Sequence, residues 1–521
     1  MRFHVFASLL VILGVAPSHA ADDPHTTLRF EVTVARGLLS APRDGRLLLV
    51  LDRKKRPEPR RAIGQTGLKA PPMLGRDVRA LAPGVVAVID QTTLISPIHH
   101  LANLPKGEYF VQAVFDVSRD LKLTDAPGNL HSDPLAVKLD PQRGGTVKIE
   151  LTHEIPAEEL PAEEEYVKCV KIRSDLLSKF HGRSMYLRAG VILPRDYARE
   201  PARRYPLRIH IGGYGTRFTA VKDMMHKDSD FRKMWLAKDT PRMILLHLDG
   251  AGPYGDPYQV NSANNGPYGD AITRELIPYV ERTFRAIGQP YARVLDGAST
   301  GGWVSLALQI FYADYFNGAW SHAPDPVDFR AYELIDIYED ENAYVNDSGF
   351  ERPAARERNG DVRYTVRHEC RIERVLGRGD RWELSGKDWC AWNAVFGPRG
   401  RDGLPRPLWN GVTGKIDRDV LEHWKQYDLR LVLQTNWKTL GPKLRGKLHI
   451  WVGEADDYFL NNAVHLLDDF LKEAKPAYEG KITYGIGKGH SWEGLSEKQT
   501  MEAMETAIAK TQGESEGRSK P

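Results

Sequence analysis

Three cysteines in 521 residues, Cys169, Cys370 and Cys390, are too few to build the fold on disulfides. Cys370 and Cys390 are open to pairing in an exported chain, and Cys169 is then an odd thiol. No CxxC or HExxH spacing occurs, so no metal centre and no cofactor is expected. An excess of one charge is also missing, since 72 Lys and Arg stand against 69 Asp and Glu. The basic knot from Arg53 to Arg61 has no aromatic residue interleaved with it, which argues against a nucleic-acid partner. Nowhere does an apolar run reach the roughly 18 residues of a membrane span.

The chain does begin with a recognisable leader. Arg2, an apolar stretch from Val5 to Val15 and the ending Pro17-Ser18-His19-Ala20 read as a secretory signal peptide over residues 1–20, cleaved after Ala20. A secreted or periplasmic location follows as the expectation. At a prior of about 150 residues per domain, the remainder makes two or three domains.

Residues 21–153 show period-two alternation in short segments, with Leu28, Phe30, Val32 and Val34 on one face and the habit repeated at Tyr109–Val117 and Val147–Leu151. Pro and Gly punctuate the gaps, which predicts a small all-β sandwich. An acidic linker, 154–166, leads to a region, 167–511, where strands alternate with helices: a doubly wound α/β fold around a mostly parallel sheet. Predicted strands are Met185–Leu193, Leu207–Ile211, Met243–Leu248, Ala292–Leu295, Leu448–Val452 and Ile482–Ile486. The alternation lapses between about 323 and 434, which reads as a long cap insertion. Residues 512–521 form a polar tail, expected to be disordered.

Chemistry concentrates at the ends of predicted strands. Val294-Leu295-Asp296-Gly297-Ala298-Ser299-Thr300-Gly301-Gly302-Trp303 is a strand, a G-x-S-x-G turn and the start of a helix with Leu306, Ala307, Ile310 and Phe311 on one side, the context of a nucleophile elbow. Leu207–Ile211 runs into Gly212-Gly213-Tyr214-Gly215, where missing side chains let backbone N–H groups approach a developing oxyanion. Thr300 supplies one donor, and Gly213 or Tyr214 the other. Leu448–Val452 ends in Gly453-Glu454-Ala455-Asp456-Asp457, and the last strand ends in Gly487-Lys488-Gly489-His490-Ser491-Trp492. The order Ser, Asp, His fits a triad of Ser299 as nucleophile, His490 as base and Asp456 as orienting acid, with Asp457 its competitor.

These segments, with Leu193-Pro194-Arg195-Asp196-Tyr197 and Glu275-Leu276-Ile277-Pro278-Tyr279, resemble the putative esterase family of α/β-hydrolases, which includes esterase D, feruloyl, acetylxylan and enterochelin esterases. The likeness runs over roughly 167–511. It implies an α/β-hydrolase fold, a carboxylic ester hydrolase activity and the same three catalytic residues.

The insertion after Trp320-Ser321-His322-Ala323-Pro324-Asp325 is far longer than that family's usual loop. Trp382, Trp389, Trp392, Trp409, Trp424 and Trp437 fall in or just after it, along with nine arginines between Arg352 and Arg381. Stacking on a sugar or aryl group is one role for the tryptophans. The preferred one is to fill the cap's own core, while the arginines pair with Glu351, Glu357, Glu369 and Glu373. His322, Asp325, Trp389 and Trp492 are the residues expected to meet substrate, a small-molecule or glycan-linked ester. Acyl transfer and peptide hydrolysis use the same constellation, and a non-catalytic glycan-binding protein is the rival outside enzymology.

Overall fold

In Leu28–Val34 the buried Leu28, Phe30, Val32 and Val34 alternate with wetter positions, as in a strand with one face to solvent. This strand pairs in parallel with Gly145–Leu151 and antiparallel with Ala87–Ile89. The three-stranded sheet so formed closes over a larger antiparallel one, in which Arg43–Asp52 lies between Met73–Leu81 and Gly107–Asp116. Leu47, Leu49, Val111 and Phe115 meet Phe30 and Val32 in one apolar core, which makes the unit a β-sandwich. The computed structural model describes residues 24–518, with side chains to 514, and the expected signal peptide lies outside them.

Eight strands form the second sheet: β1 Val167–Ser174, β2 Met185–Ile192, β3 Leu207–Ile211, β4 Ile244–Leu248, β5 Arg293–Ala298, β6 Ala319–His322, β7 Leu448–Gly453 and β8 Lys481–Gly485. Their spatial order is β1-β2-β4-β3-β5-β6-β7-β8. β2 runs antiparallel to both neighbours, and the others are parallel. Every residue of β4 is buried, because helices cover both faces of a parallel sheet.

Helix α1, Thr300–Phe311, leaves β5 through the Ser299 turn. Beneath that turn Arg208 of β3 and Asp296 of β5 form a buried ion pair, with Arg208 Nε donating to Asp296 Oδ1 at 2.8 Å. Burial opposes ionisation of Asp296, but Arg208 and His210 outweigh it and hold the carboxyl far below its usual range. Arg208 also reaches Glu497 at 2.8 Å, which ties the last helix to the underside of the elbow.

Between β6 and β7 the chain builds the cap, with a hairpin of Pro353–Arg356 and Val362–Thr365 and helices α2, Val366–Leu376, and α3, Asp388–Phe396. The six tryptophans are buried there. Trp389 packs on Trp409 with ring centroids 4.5 Å apart and on Trp392 at 4.8 Å, and Phe396 continues the stack to Trp303 of α1. Two of the expected arginine pairs form, Arg367 with Glu351 and Arg363 with Glu357. Glu369 and Glu373 take no arginine: Trp389 donates its indole N–H to Glu369 and its backbone N–H to Glu373. The cysteines are three separate buried thiols, so Cys370 and Cys390 do not pair.

The sandwich grips the cap directly. Ile372, Val375 and Leu376 of α2 pack on Leu48, Val50, Met73 and Val114, and Arg46 donates to the carbonyl of Val375 at 2.8 Å. The acidic linker is likewise tied down, by Glu158 to Arg188 and Arg217. The last helix, α4, spans Glu497–Arg518, so residues 512–518 are helical where a disordered tail over 512–521 is expected from the sequence, and residues 519–521 lie outside the described residues; continuing the helix satisfies backbone groups that a coil would leave to water.

Candidate active site

The Ser299 turn is strained in the way an exposed nucleophile requires. Ser299 has φ +58° and ψ −122°, outside the regions an L-residue prefers, and its neighbours must be small for the turn to exist. A Cβ on Gly301 would lie 2.0 Å from the carbonyl oxygen of Ile211, and one on Gly297 would lie 2.4 Å from that of Gly301. The same contacts bring the loop after β3 against the elbow. Gly213 sits beside the Ala298 carbonyl, and Tyr214 borders the cavity above Ser299 while its hydroxyl donates to Gly386 of the cap at 3.0 Å. The N–H of Thr300 belongs to the first turn of α1, where backbone donors lack an intrahelical partner.

His490 and Asp456 emerge from the loops after β8 and β7 and meet there. Asp456 is fully buried: one carboxylate oxygen accepts from the N–H groups of Tyr458 and Leu460, at 2.9 and 3.2 Å, and the other lies 2.8 Å from His490 Nδ1. Asp457, the competitor, instead accepts from the backbone N–H of His490 at 3.3 Å and pairs with Arg363. Burial would push the His490 imidazole down, but the bond to Asp456 and the charges of Asp456, Asp325 and Asp457 outweigh it, and the ring titrates above 6.5. With Nδ1 engaged, Nε2 is the nitrogen left for the cavity, which Ser299, Thr300 and His490 line together.

Of the four residues expected to meet substrate, Asp325 alone reaches this cavity. It accepts from Ser299 Oγ at 3.4 Å, Thr300 Oγ1 at 3.1 Å and the Tyr258 hydroxyl at 2.5 Å, and burial pushes its carboxyl up. His322 is buried and stacked on Trp451, and it serves the site through its carbonyl, which accepts from the Ser299 N–H at 2.9 Å. Trp389 is corrected to a core residue, because its indole is spent on Glu369 and on neighbouring rings. Trp492 is corrected likewise: it lies over Gly485 in the layer between the sheet and α4.

The remaining walls escape sequence reasoning. Glu333, Tyr364, Glu369, Asp388 and Trp392 come from the cap and Tyr458 from the loop after Asp456, around a cavity of about 170 Å³. No periodicity or motif marks them. Among the described residues no three His, Cys, Asp or Glu side chains are gathered to hold a metal ion, and no helix is long and apolar enough to cross a membrane.

Residues 182–431 match the family model described as putative esterase. No curated protein matches the chain. Among solved structures, a ferulic acid esterase is similar at 14% identity over 66% of this chain and 96% of its own, with a TM-score of 0.37. An S-formylglutathione hydrolase from Agrobacterium tumefaciens is similar at 12% identity over 66% and 94%, with a TM-score of 0.35. The feruloyl esterase module from Clostridium thermocellum, complexed with sinapinate, is similar at 10% over 68% and 93%, with a TM-score of 0.34. The family match falls across the elbow, the strands that flank it and most of the cap, so residues 182–431 of this chain are similar to the putative esterase family of α/β-hydrolases.

Proposed function

We propose that the protein is an exported serine esterase acting through an acyl-enzyme. The observation that carries this is the convergence, in one cavity, of a serine on a positive-φ elbow and an imidazole whose far nitrogen is bonded to a buried carboxylate. Ser299 Oγ attacks the ester carbonyl carbon as His490 Nε2 takes its proton. The carbonyl oxygen becomes an oxyanion facing the N–H of Thr300 and that of Gly213 or Tyr214. Collapse breaks the bond to the alcohol oxygen, which leaves with the proton from His490. Water, deprotonated by the same imidazole, then releases the acid and restores Ser299. The cavity volume, about 170 Å³, favours a small acyl or alcohol group, whether the ester is free or borne on a glycan.

Reaction with a fluorophosphonate tests the nucleophile. One equivalent of label on Ser299, with turnover of a short-chain chromogenic ester, is expected; a chain that takes no label is not a serine esterase. The base must be neutral to accept a proton, so the imidazole raised by Asp456 moves the acidic limb of kcat/KM upward. Its midpoint is expected above pH 6.5, and a limb below that value contradicts the His490 assignment. Export is tested by intact mass: protein recovered from a secreting host is expected to begin at Ala21, and retention of Met1 rules out the cleaved leader.

A further inference from the structure

Three carboxyl groups of the cap face the cavity that holds Ser299: Glu333 after β6, Glu369 on α2 and Asp388 at the start of α3. Carboxylates crowded into one small space repel one another and are normally separated by a cation or by donors. Here the donors are sparse. Glu369 receives the indole N–H of Trp389 at 2.9 Å, but Glu333, only 3% exposed, has an oxygen buried without any hydrogen-bond partner. Burial, reinforced by Glu369 and Asp388, pushes Glu333 well above its ordinary value, and burial with Asp388 pushes Glu369 up to about 8.

The nearby basic side chains are turned elsewhere. Lys387 packs against Gly64 of the sandwich and lines the neighbouring cleft, and Arg363 pairs with Asp457 and Glu357. Among the described residues that line the cavity, no lysine or arginine occurs. A buried acceptor without a partner costs about 1–3 kcal/mol, more when charged, and such a group persists where a ligand completes it. The carboxyls are not gathered for metal ligation, and an organic cation that brings its own N–H donors is a partner their chemistry fits.

We propose that the ester substrate carries a protonated primary amine, which the cap binds between Glu333, Glu369 and Asp388 while Ser299 meets the ester carbonyl. The inference rests on the serine esterase reading for the reaction, but the amine site stands on its own geometry. An ammonium group supplies three donors and a full charge, which lets carboxyls that burial and crowding otherwise hold in the protonated form ionise against it.

Calorimetry on the intact protein tests it with pentylammonium, 1-pentanol and pentanoate, which share a chain and differ in charge. Pentylammonium is expected to bind at least tenfold more tightly than 1-pentanol, and Glu333→Gln to weaken it at least tenfold without altering the affinity for 1-pentanol. Equal binding of amine and alcohol, or a preference for pentanoate, overturns the proposal. Should Glu333→Gln fail to fold by circular dichroism, Asp388→Asn is read in its place, and the wild-type comparison stands regardless. Fluorophosphonate labelling is run on the same samples. Protein that labels but shows no amine preference keeps the esterase and loses the amine site, and protein that binds pentylammonium but takes no label does the reverse.

Discussion

Ser299→Ala is expected to lower kcat for any ester substrate by roughly 10⁴–10⁶-fold and to abolish fluorophosphonate uptake, leaving the fold intact. In the proposed reaction the hydroxyl oxygen forms the acyl bond, and no second nucleophile among the described residues of the cavity stands on a strained turn. Thr300, the nearest hydroxyl, is buried and engaged with Asp325 and Tyr258. Alanine tolerates the φ of +58° about as serine does, so the elbow keeps its shape. The one side-chain bond lost is the 3.4 Å contact to Asp325, which still receives Tyr258, Thr300 and Trp392. Stability should therefore change by less than about 1 kcal/mol. What survives in the variant is the rate contributed by the oxyanion donors and by substrate positioning. Turnover within tenfold of the wild type would place the nucleophile elsewhere.

The candidate site is legible where its signal is local. Gly297, Ser299 and Gly301 announce the elbow, since only small residues fit where Ile211 and Gly301 carbonyls close in, and a strand must precede and a helix follow. His490 and Asp456 were legible for a related reason: each follows an apolar strand by a few residues, at the end of the sheet where α/β folds place their ligands. β1 was not anticipated. Val167–Ser174 interleaves Lys168, Lys171 and Arg173 with its apolar residues, and as an edge strand it is free to do so. The parallel pairing of the first and last long strands of the sandwich also leaves no trace in sequence, because period two states which face is buried and not which strand lies alongside.

The cap divides differently. Its tryptophans are buried as core, with Trp392 also lining the cavity, but pairing the arginines with all four glutamates fails at Glu369 and Glu373, which turn inward where arginine does not follow. Such inward carboxyls are indistinguishable from surface ones until α2 is rotated into place, and the rotation is set by another domain. Ile372, Val375 and Leu376 hold α2 on the sandwich, which leaves Glu369 on the face toward α3 and the cavity. The sandwich thus acts as the cap's support as well as a neighbour, and a distant apolar contact decides which carboxyls face the cavity.

Asp456→Asn is expected to lower kcat by about 10⁴-fold near neutral pH, while Asp457→Asn should lower it less than about tenfold. The backbone dictates how an asparagine would sit. The N–H groups of Tyr458 and Leu460 demand an acceptor where Asp456 Oδ1 now lies, so the amide oxygen takes that place and the NH₂ faces His490. A donor opposite Nδ1 forces that nitrogen to accept and puts the ring proton on Nε2, the atom that must be bare to receive the proton of Ser299. Charge is lost at the same time, so the imidazolium formed during attack is no longer stabilised and the acidic limb of the pH profile moves down. Asp457 hydrogen-bonds His490 only at its backbone N–H, which an asparagine carbonyl can still accept, and its charge is a lesser influence on the ring than that of Asp456. If the large loss instead belongs to Asp457→Asn, the acid has been assigned to the wrong carboxylate.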